Sequence, residues 1–408
     1  MVARSASERR ISEVEARQVG ASESNAGDDF HIWWAASRAL KLIEPGARLR
    51  LVALEGLATV DDPDESYETV DVSEYIGGYR ITTADTVILS RLKYSTKHPN
   101  TPWTAARLCK PRKRPRDDQL ATSRTVIADP ATAYRRVLDD HGSDEVAKVR
   151  LALVSNQPAD QLLVDAVEAA AAWARSRDRR DLRRDGLLRA LRTEHRDIVD
   201  TLARAVGSRL RSTEFCDFLA RLDLSMEGAL GREAFARAVR AGAAELTPGR
   251  GLDSTQRLFD LVYGEALPGR GRGGLRAEDV LAQLGVAEVF DLYPAPPRLA
   301  DLSRPPLPAP GARVIADAVQ AHRGKLVVAH GPAGAGKTTA LRQVGDHLPA
   351  GSVVVLFDCY GGGDYLNAGD ERHTPDRFVV QVVNELAQRC GTSLLVQAPT
   401  REPDQRTA

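Results

Sequence analysis

The spacing G-x-x-x-x-G-K-[ST] is met by Gly331, Gly336, Lys337 and Thr338 within the stretch KLVVAHGPAGAGKTT. Its chemistry is phosphate binding. Glycines let backbone N–H groups curl around phosphate oxygens, and a helix N-terminus directly after the loop adds partial positive charge. Lys337 is placed to reach β- and γ-phosphates, and the Thr338 hydroxyl to complete a Mg²⁺ shell; Gly334 and Thr339 complete the candidate set. ATP with Mg²⁺ is the expected cofactor pair. The alternative is a glycine-rich turn carrying a surface lysine. The flanks decide against it: the apolar run 326–329 predicts a buried strand, and TALRQVGDHL predicts a helix.

A second set lies near the other end of the chain: Glu55, Asp71 and Lys93. Metal-dependent phosphodiester cleavage needs a carboxylate to hold Mg²⁺ beside the scissile phosphate. It also needs a lysine to orient the attacking water and offset developing charge. Asp71 and Lys93 fall on consecutive predicted strands, with Glu55 on the strand before, as a second carboxylate. A solvated face of charged strands produces the same pattern, so the residues alone leave both readings open. Arg91, two positions before Lys93, shares its strand face. A guanidinium cannot ligate Mg²⁺ and repels it.

Elements that would position these residues are legible along the chain. Residues 1–26 are polar and aperiodic, a disordered arm. From 27 to 158 the order reads helix (Phe30, Trp33, Trp34, Leu40, Ile43 at helical spacing), strand RLRLVALEGL, strand YETVDVSEY, strand TVILSRLKYS, a helix around residues 132–139, and strand KVRLALVSN. That order suits a small mixed sheet flanked by helices. Residues 159–293 read as helices rich in Ala, Leu and Arg, a helical connector domain. Residues 294–322 form a proline-dense linker, and 323–408 the first part of a nucleotide-binding α/β domain. The stretch after the phosphate loop is short for such a domain. Asp358, ending SVVVLFD, has at most a supporting role with the metal, so the expectation is a truncated product or a fold completed by another chain.

The 408 residues carry no net charge, so any attraction to nucleic acid must come from local patches, such as the basic loop of residues 110–116. Four scattered cysteines without CxxC spacing fit a reducing compartment. No stretch has the length of a membrane helix and no signal region opens the chain, so a cytoplasmic protein without membrane contact is expected. The arginines between 175 and 196 alternate with acids and read as a salt-bridged helix surface. Trp33, Trp34 and Trp103 read as packing, and His31 and His98, without partners at ligand spacing, as structural. No second lobe of the helicase kind is present, which ranks a motor low.

The phrases GDDFHIWWA, VDVSEYIGG, LKYSTKHPNTPWTAARL and LALVSNQP resemble the double-stranded-DNA endonuclease domain that fronts some CBASS effectors and many antiviral STAND ATPases of the AVAST type. VVVLFDCYGGGDYLN, with RHTPDRFVVQVVNELA, resembles the continuation of those ATPases after the phosphate loop, and FDLYPAPPRL their linker. The resemblance implies a restriction-endonuclease-like mixed sheet, a helical connector and a partial P-loop NTPase domain. In it, Asp71 matches the metal-binding aspartate and Lys93 the lysine of a D…x-x-K site. It further implies duplex DNA as target, ATP as switch, a phage protein as trigger through a missing C-terminal sensor, and a homo-oligomer on activation. Where the family carries Gln or an acid, this chain has Arg91, which keeps a decayed, non-cutting nucleotide-binding scaffold as the rival expectation.

Overall fold

A computed structural model describes residues 26–44, 47–111, 125–228, 231–246, 251–267, 273–286, 307–360, 373–390 and 392. The N-terminal arm, positions 112–116 of the basic loop and the proline segment through 306 lie outside the described residues. Packing divides the chain into two units: the first is built from residues up to 285, apart from 44–46 and 245–249, and the second chiefly from residue 286 onward.

The first unit opens with α1 (residues 26–41), then β1 (Leu49–Leu54), β2 (Val72–Ile76) and β3 (Thr86–Lys93). After β3 come α2 (Ala105–Leu108), α3 (Ala128–His141), α4 (Ser143–Val146) and β4 (Val149–Ser155). Four helices follow: α5 (Gln161–Arg175), α6 (Arg184–Ala190), α7 (Thr193–Val206) and α8 (Ser212–Arg221). A two-residue β5 (Leu222–Asp223) precedes α9 (Gly231–Leu246), α10 (Gly251–Ala266) and α11 (Ala277–Leu284). The strands form one five-stranded sheet in sequence order, β1-β2-β3-β4-β5. The first three are antiparallel neighbours, whereas β3–β4 and β4–β5 are parallel. The helix, three strands, helix, strand order expected for 27–158 is thus the observed order, in a mixed α/β fold.

Both faces of the sheet are covered, which explains why β3 buries residues of both parities. On one face Leu51, Ala53, Tyr75, Val87, Leu89, Leu151 and Leu153 join a core shared with α3, α5, α7 and α8. That core runs on through Leu163, Val167, Leu202 and Phe218 to Met226. The segment read as a connector therefore supplies the sheet with core helices and its fifth strand. On the other face lies α1, whose Phe30 and Trp34 are fully buried. Arg38 of α1 donates from Nε to Glu74 Oε2 at 2.7 Å, and burial holds the Glu74 carboxyl above its ordinary range. Gly228 lets the chain pass close beneath α1, because a Cβ there would stand 2.8 Å from Phe30 Cζ and 2.9 Å from Val154 Cγ1. The outer edge of β1 is capped: Val52 N donates to Leu275 O at 3.0 Å and Leu275 N returns to Val52 O at 2.7 Å.

The second unit contains α12 (Pro310–Ala321), α13 (Lys337–Gln343) and α14 (Pro375–Arg389). Small residues let α12 sit close on α13, with Ala312, Ala316 and Ala340 buried between them. Here the structure departs from expectation. Among the described residues of this unit no strand forms, and the runs 326–329 and 352–358 are irregular. Leu326 is 90% and Val328 71% exposed. Without a hydrogen-bonded neighbour a strand gains no ladder bonds, so apolar composition alone does not make one. Among the described residues of the whole chain, no helix is long and apolar enough to cross a membrane.

Candidate functional site

The first candidate site lies where the start of β2 meets the end of β3. These strands run antiparallel, with Val72 opposite Ser90, and Asp71 N donates to Ser90 O at 2.9 Å. Asp71 therefore stands directly before β2, level with Arg91. Its carboxylate is almost wholly buried and engaged at both oxygens. Oδ2 accepts from Leu92 N at 2.5 Å, and Oδ1 accepts from the Arg91 guanidinium. Lys93 is the last residue of β3, beside Ser155 of β4, and its two-residue offset puts it on the face of Arg91. Asp71, Arg91 and Lys93 are thus brought to one corner of the sheet.

Glu55 is placed differently from the expectation. It follows the end of β1 with φ +54° and is exposed, so strand alternation no longer aims its side chain. Its backbone N–H does bind Asp71 O at 2.8 Å. A carboxylate that the expectation did not include also lies close to the centre: Asp129, in the first turn of α3, 1% exposed, with Oδ2 3.3 Å from Arg91 Nε. That approach is ionic rather than hydrogen-bonded, since Nε is buried and has no hydrogen-bond acceptor. The sequence reading began this helix at residue 132 and so left Asp129 outside. An acid followed by proline in ADPATAYRRV is the first-turn signal that identifies it.

His31 of α1 also belongs to this corner, although its sequence context marked it only as structural. Burial lowers the imidazole below its ordinary value of 6.5; Asp71 opposes the shift, and Lys93 and Arg91 add to it. Nothing in the local sequence signals this, because the charges that act on His31 are brought near it by the fold. The sign has a consequence. Below pH 6.5 the unfolded chain takes up a proton that the folded chain resists, so stability is full above that value and declines as pH falls toward the lowered one. His31→Asn is expected to flatten the change in urea midpoint measured above and below pH ~6.5, and an unchanged profile would show that His31 does not carry it.

The loop after Lys93 is pinned from beneath. Asn156 Oδ1 accepts from Ser95 N at 2.9 Å and its Nδ2 donates to Ser95 O at 2.9 Å. Gln157 Nε2 donates to His98 O. Trp103 donates from Nε1 to Ser155 Oγ at 3.0 Å, with the Arg107 guanidinium 4.2 Å above its ring. Trp34 and Trp103 are packing residues, as expected. Burial pushes the Cys109 and Cys216 thiols up to about 11, which keeps them protonated and unreactive.

The fit of Mg²⁺ to this corner fails on geometry. Both Asp71 oxygens are engaged, and a guanidinium lies on one of them. A divalent ion there would have to displace that guanidinium or share Asp71 with its positive charge. Among the described residues, no group of three or more His, Cys, Asp or Glu side chains is arranged to hold a metal ion.

The second candidate site is the glycine-rich loop. Gly334 and Gly336 have φ +77° and +78°, conformations that L side chains rarely adopt, and a Cβ at either would meet nothing within 4 Å. The loop is an open cradle running into α13 at Lys337. Lys337 Nζ donates to Gly331 O at 2.8 Å and Pro332 O at 2.7 Å, bridging the loop's mouth. Thr338 is exposed and Thr339 half-buried. Gln343 staples residues 307–309 over α13, accepting from Ala309 N at 2.8 Å and donating to Leu307 O at 3.0 Å. Between them lies a cavity of about 700 Å³ lined by Pro310, Val314, His330, Gly334, Gly336 and Lys337. Open glycines, a lysine and a helix start beside an apolar wall fit a nucleotide triphosphate. Compared with known proteins, the chain matches no family model and no curated protein.

Proposed function

We propose that this chain is an antiphage-defence effector in which a restriction-endonuclease-like unit acts on double-stranded DNA under the control of an ATP-binding unit. The observation that carries the reading is the meeting of Asp71, Arg91 and Lys93 at one corner of a mixed sheet. Arg91 is taken up by Asp71 and Asp129, so the cation offered to a phosphodiester backbone is Lys93 at the end of β3, and the pinned loop beyond it gives that contact a fixed rim. On this reading ATP enters the cradle at Gly334–Lys337, with Thr338 and Thr339 at the metal-nucleotide end. A phage protein is the trigger, a homo-oligomer the active form, and the cytoplasm the compartment.

Because both Asp71 oxygens are engaged and Arg91 lies on one of them, no step at this corner is routed through Mg²⁺. The residues themselves do other work. Asp71 holds Arg91, Lys93 presents an ammonium to the phosphate, and burial disfavours protonation of His31. The competing reading is a non-cutting, nucleotide-binding scaffold, and the grip of Arg91 on Asp71 favours it for the arrangement described.

Supercoiled plasmid incubated with the protein, Mg²⁺ and ATP separates the two. Cleavage by wild type that is lost in Lys93→Ala, or by Arg91→Gln that is lost in Arg91→Gln/Lys93→Ala, supports an endonuclease with its centre at these residues. Plasmid left intact by both wild type and Arg91→Gln, with proteins from phage-infected cells added to supply the trigger and a protein-free control for their own nucleases, removes the endonuclease reading.

A further inference from the structure

A cation already sits at the corner where the nuclease reading needs a metal ion. We infer that the Asp71 centre carries its own counter-cation: the Arg91 guanidinium, clamped between Asp71 before β2 and Asp129 of α3, takes the place of a divalent ion and keeps it out. The inference rests on the proposed function only for its interest in this corner, because its geometry involves neither DNA nor ATP.

Three observations carry it. The guanidinium hydrogen-bonds Asp71 Oδ1 while Leu92 N–H takes Oδ2, so each oxygen already carries a donor. On its other side Arg91 Nε lies 3.3 Å from Asp129 Oδ2, so one cation serves two carboxylates whose side chains are 7% and 2% exposed. Buried carboxylates of that kind require a cation. Arginine comes from the neighbouring strand, and a flat fork reaches two carboxylates at once. The two carboxylates of the centre are therefore Asp71 and Asp129. Glu55 follows β1 with its backbone N–H on Asp71 O.

The test is direct Mn²⁺ binding, read by electron paramagnetic resonance on full-length protein without nucleotide or DNA. Wild type and Asp71→Asn are expected to titrate alike, because the centre contributes no metal site. Arg91→Gln is expected to gain one Mn²⁺ that is lost in Arg91→Gln/Asp71→Asn and weakened at least about 10-fold in Arg91→Gln/Asp129→Asn. Arg91→Lys, which keeps a charge, is expected to remain closed to Mn²⁺ and covers the case in which Arg91→Gln fails to fold. Wild type that binds Mn²⁺ more tightly than Asp71→Asn overturns the inference, as does a folded Arg91→Gln that gains no ion. Loss of DNA binding would sink the proposed function and leave these titrations untouched.

Discussion

Replacing Arg91 with alanine is expected to destabilise the sheet-bearing unit by roughly 3–5 kcal/mol, the range for removing one partner of a buried ion pair. The side chain is 18% exposed, so its own release to water gains little. The cost lies in what it leaves behind: Asp71 and Asp129, nearly inaccessible, with no guanidinium between them. A surface pair provides the contrast. Arg257 lies 2.9 Å from Asp253 with both side chains more than half exposed, and Arg257→Ala should cost no more than about 0.5 kcal/mol. Asp71→Asn combined with Arg91→Ala should cost less than the sum of the two single changes, since charges removed together leave fewer uncompensated groups. Urea midpoints of these variants check the expectation. An Arg91→Ala shift no larger than that of Arg257→Ala would show that the cluster is not a buried, mutually dependent unit.

Lys337→Ala is expected to weaken ATP binding by about 100-fold or more. The ammonium now rests on the carbonyls of Gly331 and Pro332, at the mouth of the cradle. With a triphosphate present it would exchange neutral acceptors for charged ones, at about 1.5–3 kcal/mol per charge-assisted hydrogen bond. Two such bonds, less the carbonyl contacts surrendered, leave about 3 kcal/mol, which is about a hundredfold. The helix should survive, because Ala is the better helix former and α13 is held through Ala340 and Gln343. A fluorescent ATP analogue titrated into both proteins gives the ratio. Affinities within about threefold of each other would remove Lys337 from the nucleotide site.

Much of the first unit was legible in the sequence, because a sheet covered on both faces leaves a strong record. TVILSRLK carries apolar or small residues at both parities, and the turns between strands are marked by glycine and acid clusters. Asp71 and Lys93 reach the same corner because β2 and β3 pair antiparallel, as consecutive strands commonly do. What could not be read were contacts made across the fold. The clamp on Arg91 needs Asp129 from a helix that follows the basic loop, and His31 enters from α1. Glu55 was expected on β1 by alternation and lies one residue past it, where the backbone turns to positive φ. The helices after residue 158 look autonomous by composition, yet Leu163, Leu202 and Phe218 lie in the same core as Leu89 and Leu151. Strand assignment near the phosphate loop failed for the opposite reason. Apolar runs such as LVVA identify strands only where neighbours pair with them, and among the described residues none does.

The central claim is that the corner holding Asp71, Arg91 and Lys93 meets a DNA phosphate. Fluorescence anisotropy of a short duplex, titrated with wild type and Lys93→Ala across a range of salt concentrations, tests it most directly. Lys93→Ala is predicted to bind about 10-fold more weakly at low salt and to lower the magnitude of the log–log salt slope by about 0.9, the loss of one phosphate contact. Wild type that does not retain duplex, or a Lys93→Ala variant with the same affinity and slope as wild type, would contradict the account.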